Sequence, residues 1–211
     1  MVEYLAVKFV LSLVETKINN KLNKDMPTKT ASKKNSVKQD ADTLRTLFEA
    51  KIKALYDIET QLVKALPKMA KSATNSELKE GFTDHLTQTE GHVDRLGRIF
   101  ESMEVKPQKL ACDAIRGLIA DAEWVIKNTH GAEALDAGLI AAAQYVEHYE
   151  IGGYTAAVGW ARLLNMDDAA GLLEQTLQEE KDTEETLENL ADSEVDEVAL
   201  GGEEKEGSDE N

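Results

Sequence analysis

The sequence holds one cysteine, three prolines and few aromatic residues, 5% of the chain. A single thiol, Cys112, cannot build an internal disulfide framework, which points to a reducing compartment and a cytoplasmic protein. Cys112 itself reads as a small buried hydrophobe. Scarce proline and scarce aromatics favour helix over sheet. No apolar run approaches the ~20 residues that span a bilayer, so no membrane partner is expected. Positive charge is also short: the formal charge is −16 and the pI about 4.7. Nucleic acid is therefore excluded as the main partner, because phosphate binding needs a cationic face.

What is present suits one domain with tails. The chain has 211 residues, 42% of them hydrophobic, enough for a core of ordinary size. Residues 1–41 are net basic, and the last twenty are strongly acidic. Met1–Lys24 reads as a short amphipathic helix, apolar around Tyr4–Val14 but interrupted by Lys8, with no cleavage motif of a signal peptide. Met26 is an alternative start, which would make the preceding residues an upstream extension. Pro27–Asp40, rich in Lys, Ser and Thr, reads as a disordered linker. The expected division is an extension and linker over 1–41, a helical domain over 42–191 and an acidic disordered tail over 192–211.

No segment sustains period-2 alternation, so no strand is expected. Hydrophobic periodicity predicts five helices, α1 over 42–72, α2 over 75–103, a short α3 over 111–128, α4 over 132–164 and α5 over 167–191. Thr74-Asn75-Ser76-Glu77 has the pattern of a capping box at the start of α2, and Asp167-Asp168 suits the start of α5. Pro67 should kink α1 or end its regular part. The α1–α2 and α4–α5 turns are short, so those pairs form antiparallel hairpins. The connection between the hairpins is long and carries α3. Two hairpins joined by a long crossover give an all-α, ferritin-like four-helix bundle with a short extra helix in the crossover.

Each long helix has a core stripe, and each stripe is interrupted near its middle. In α1 it runs Leu44, Phe48, Leu55, Glu59, Leu62, Leu66. In α2 it runs Leu78, Phe82, His85, Thr89, His92, Leu96, Ile99, Met103. In α4 it runs Leu139, Ala143, Glu147, Glu150, Tyr154, Ala157, Ala161, with His148 facing outward. In α5 it runs Ala169, Leu173, Thr176, Glu180, Thr183, Leu187, Leu190. A one-residue change of phase in α5 would instead turn Glu179 and Asp182 inward. Antiparallel helices bring their midpoints to one depth, so Glu59, His85, His92, Glu147, Glu150 and Glu180 should meet in one layer. Four carboxylates buried together repel one another, and burial of an unpaired polar group costs roughly 2–7 kcal/mol. Two divalent cations, iron or manganese, would balance them and take the imidazoles as nitrogen ligands. The plainer alternative is a set of surface-tilted glutamates and satisfied core histidines.

Four stretches resemble the YciE/YciF group of bacterial ferritin-like stress proteins: Leu55–Met69, His85–Leu96, Glu147–Tyr154 and Leu172–Lys181. The likeness runs from about Leu44 to Ala191. It implies a ferritin-like fold, a homodimer and a part in bacterial stress response, but no particular reaction. Wider di-iron members of the ferritin-like group carry a lone Glu on the first and third long helices and Glu-x-x-His on the second and fourth. Glu59 and Glu147 fit the lone positions. The paired motifs read Thr89-x-x-His92 and Glu180-x-x-Thr183, each lacking one ligand. His85 and Glu150 could restore the count; otherwise the site has decayed or holds one ion.

Two functions follow from this reading. One is a di-metal protein acting on oxygen, peroxide or iron, an oxidoreductase if it is an enzyme, with a metal ion or small oxidant as its ligand and no organic cofactor. The other is a non-enzymatic structural or interaction protein of the stress response, its polar core metal-free and held by Glu–His and Glu–Thr hydrogen bonds. No catalytic residue is singled out, and nothing in the sequence argues for an iron-storage shell.

Overall fold

The computed structural model describes residues 43–192. The expected N-terminal helix, the linker and nearly all of the acidic tail lie outside the described residues. Within them are five helices: α1 (Leu44–Ser72), α2 (Ser76–Ser102), α3 (Asp113–Asn128), α4 (Ala132–Leu163) and α5 (Asp167–Leu190). No strand occurs among the described residues. α1 packs on α2 and α4 packs on α5; α1 also lies against α4, and α2 against α5. This is the all-α bundle of two hairpins that the turn lengths predict, with α3 in the crossover, set against α4 and α1.

Local chemistry sets the ends. Thr43 caps α1 by accepting from the Thr46 amide at 3.2 Å. At α2 the cap is Asn75, one residue later than the capping-box reading, and its Oδ1 accepts from the amides of Glu77 at 2.8 Å and Leu78 at 3.0 Å. Thr74 is taken by a different partner. Its amide donates to Oδ1 of buried Asp136 on α4 at 2.8 Å, while the Asn75 amide donates to Oδ2 at 2.7 Å. Asp136 thereby satisfies the turn from outside the hairpin. Glu104 and Asn165 end α2 and α4 in the left-handed region, with φ of 59° and 56°. Pro67 does not end α1, which continues to Ser72. Pro67 is exposed, so the carbonyl left without a donor can be solvated.

The crossover is fastened by polar contacts as well as packing. The Leu110 amide donates to the Lys53 carbonyl at 3.1 Å, and the Cys112 amide to Asp57 Oδ2 at 3.0 Å. Cys112 is buried and free, as its composition-level reading expects. Gly138 on α4 lets α3 approach closely, since a Cβ there would meet Val125 Cγ1 at 2.7 Å. Buried Phe48, Ile52, Leu96 and Phe100 fill the core at one end, and Leu62, Leu66, Phe82 and Leu187 at the other. Burying each such side chain contributes roughly 1.5–3 kcal/mol. Between the two apolar ends, all six expected polar interruptions are buried.

Candidate metal centre

The stripes converge as their periodicity requires. Glu59, His92, Glu150 and Glu180 have no exposed surface, and His85 and Glu147 have almost none. α1 supplies Glu59, α2 both histidines, α4 both Glu147 and Glu150, and α5 Glu180. His148 faces outward, as expected, and Asp182 is exposed. The phase of α5 is therefore the one that buries Glu180, and the alternative pairing of Glu179 with Asp182 is not adopted.

The six residues form two overlapping groups. His85, Glu147, Glu150 and Glu180 each present a donor atom, all within 4.8 Å of one another; Glu59, His92 and Glu180 form a second such group. Glu180 belongs to both. Its Oε1 lies 3.1 Å from His92 Nδ1, and its Oε2 lies 3.9 Å from His85 Nε2. His85 Nε2 is 3.4 Å from Glu147 Oε1, and His92 Nδ1 is 3.4 Å from Glu59 Oε2.

Each imidazole is held on its outer nitrogen. His92 Nε2 donates to Glu179 Oε2 at 2.9 Å. Glu179 is gripped by the Arg95 guanidinium, including a contact from NH1 at 3.3 Å, and by Gln175 Nε2 at 3.1 Å. Burial alone would raise the Glu179 carboxyl, but its bonds from Arg95, Gln175 and His92 hold it below the usual carboxylate range. His85 Nδ1 lies 3.3 Å from both Gln88 Oε1 and Thr183 Oγ1. With the outer nitrogens committed, His85 Nε2 and His92 Nδ1 face the carboxylates. Outer hydrogen bonds of this kind fix the tautomer and orientation of metal-ligating histidines.

The inner atoms lack partners. Glu59 Oε2, His92 Nδ1, Glu147 Oε2 and both carboxylate oxygens of Glu150 and Glu180 are buried without a hydrogen bond. Tyr154 donates its hydroxyl to Glu59 Oε1. Burial pushes Glu147 and Glu150 well above the usual range, reinforced by Glu180 for the first and Glu59 for the second. It raises Glu59 as well, against the opposing pull of the nearby His92 imidazole. Burial would lower His92, but Glu180 and Glu59 overcome it and push the imidazole up to about 10. Without a metal ion, protons must neutralise this layer. Oxygen and nitrogen donors left unpaired around two overlapping positions have the chemistry to take cations in their place.

The departures from the ferritin-like pattern have a spatial account. Thr183 replaces a histidine on α5, and His85 reaches from α2 to contact its hydroxyl. Thr89 replaces a glutamate on α2 and turns its hydroxyl back to the His85 carbonyl at 2.8 Å. Glu150 supplies a carboxylate from α4 instead. The threonines thus bond within their own helices or at the rim: Thr176 Oγ1 donates to the Leu172 carbonyl at 3.4 Å and accepts from Arg95 Nε at 3.0 Å. The sequence reading missed Arg95, Glu179 as an outer partner, and Tyr154 as a donor. Their spacings were visible, Arg95 three residues after His92 and Tyr154 four after Glu150, but reach across helices was not.

A chamber of about 230 Å³ opens beside this layer between α2 and α5. Leu62, Leu66, Met69, Phe82, Val146 and Leu187 form its walls, and His85 and Glu147 lie along it.

Fold and site together define a four-helix bundle protein with a buried carboxylate–histidine centre. The chain belongs to the DUF892 family, described as a domain of unknown function, whose family model matches residues 43–200. Protein YciF of Escherichia coli (strain K12) is 40% identical over 158 residues, covering 74% of this chain and 95% of that protein. Its crystal structure, described as that of a stress protein, matches with a TM-score of 0.71 and covers 74% of this chain and 98% of that one. YcfI of Rhodopseudomonas palustris, provisionally described as a structural protein, is 38% identical with a TM-score of 0.70, covering 72% and 96%. A protein from Xanthomonas campestris pv. campestris is 19% identical with a TM-score of 0.59, covering 75% and 97%, and supports the fold alone.

Proposed function

We propose that this protein binds two ions of iron or manganese in the polar layer and serves the stress response through them. The carrying observation is the set of buried donor atoms without hydrogen bonds, drawn from Glu59, His92, Glu147, Glu150 and Glu180. His85, Glu147, Glu150 and Glu180 would hold one ion. Glu59, His92 and Glu180 would hold the other, with Glu180 shared. Bound iron or manganese would supply Lewis acidity and electron transfer toward oxygen or peroxide. The chain's own residues orient the ligands: Arg95 and Glu179 fix His92, Gln88 and Thr183 face the outer nitrogen of His85, and Tyr154 steadies Glu59. A homodimer and a reducing, cytoplasmic setting belong to the same proposal, the first from the family resemblance and the second from the single buried Cys112. Among the described residues no helix is long and apolar enough to cross a membrane.

The experiment is ligand removal with metal content as readout. Glu180→Ala should lose both ions, because both groups share that carboxylate, while Glu59→Ala should lose the His92-side ion first. Equal metal content in both variants and the parent would contradict the assignment.

A second reading is a structural protein of the stress response whose core is neutralised by protons. The upward displacement of Glu147 and Glu150 favours it when ions are scarce. It differs in outcome: the parent protein should then take up no iron or manganese, and Glu180→Ala should lower stability, since it removes one partner of a buried pair with His92.

A further inference from the structure

Apart from His85 and Glu147, the residues that line the chamber beside the polar layer take no part in holding the ions. The chamber is walled by apolar side chains from all four long helices, yet Glu147, whose Oε2 is buried without a hydrogen bond, lies on it. Asp84 and Asp182 stand at its exposed rim, and both are acidic. Its volume is about 230 Å³, against about 150 Å³ for an apolar cavity known to take up benzene. A void of that size walled by leucine, methionine, phenylalanine and valine leaves those side chains without packing partners on one side, which an apolar guest would restore.

We propose that the chamber is a binding site for a small apolar molecule with an uncharged hydroxyl end, such as a medium-chain alcohol or a phenol. Three features select this class. The walls take the apolar body. Glu147 Oε2, buried without a hydrogen bond, meets the polar end, and a hydroxyl can donate to it or accept from it. Asp84 and Asp182 at the exposed rim disfavour entry of an anion, so a fatty acid of the same length is disfavoured. The site deepens the metal reading by naming what is presented beside the centre, and rests on that reading to that extent; its affinity for the guest does not require the ions.

The test is calorimetric titration of the full chain with octan-1-ol and with octanoate, both after chelator treatment and after loading with manganese. One equivalent of octan-1-ol should bind, at least roughly tenfold tighter than octanoate. Gly81 lines the chamber and has open space at its Cβ position. Gly81→Leu should therefore weaken alcohol binding at least roughly tenfold while leaving metal content unchanged. Thr186→Leu, a second substitution in the lining, should do the same, so a folding defect in one variant does not decide the matter. Absence of saturable binding, octanoate binding as tightly as the alcohol, or full binding in both folded variants would overturn the proposal. Metal uptake without alcohol binding sinks the chamber alone. Alcohol binding without metal uptake sustains it and sinks the metal centre.

Discussion

Glu179 and Glu180 are adjacent, yet they do different work. Glu180 is buried between two imidazoles, and Glu179 reaches one of them from the rim in the grip of Arg95. Glu179→Ala should therefore lower metal affinity about 10–100-fold with helicity retained, as loss of outer-shell partners does; circular dichroism with a competition titration checks both halves. In the ion-free chain Glu59→Ala should cost about 1–3 kcal/mol, because it strands the buried Tyr154 hydroxyl and removes a carboxylate that His92 faces. Denaturant midpoints measure that. The buried positions were legible because a polar residue on an apolar stripe is conspicuous. The role of Glu179 was not, since it depends on the reach of an arginine from another helix rather than on its own register.

At the scale of elements, the long helices follow from periodicity, but their fastening does not. Thr74 and Asn75 look like interchangeable caps in sequence, and Asp136, 62 residues beyond Thr74, decides between them by claiming Thr74. Asp136→Ala should cost about 1–3 kcal/mol, because it takes the shared acceptor from two amides and a hydroxyl in the turn. Gly138→Ala should cost about 1–3 kcal/mol by pressing α3 away from α4 at Val125. Chemical denaturation of each variant gives both numbers. Neither residue stands out in a sequence, since one is a lone helical aspartate and the other a helical glycine, and their partners lie on other elements.

For the molecule as a whole, the polar layer couples stability to protons and to metal. In the ion-free chain Glu59, Glu147 and Glu150 titrate above the unfolded value of 4.5, and His92 near 10 against 6.5. The folded chain therefore holds more protons than the unfolded one, first through the carboxyls and then through His92 up to its folded value. Stability should fall as pH rises through that window. Bound ions need deprotonated ligands, so metal binding should strengthen with pH and offset or reverse the slope. Urea unfolding of stripped and loaded protein between about pH 5 and about pH 9 compares the two slopes. The central claim is the count of ions in the layer. Elemental analysis of protein purified without chelators, then reloaded after stripping, should give about two irons or manganeses per chain, as two overlapping ligand groups require; less than about a tenth of an equivalent, with no uptake on reloading, would contradict it.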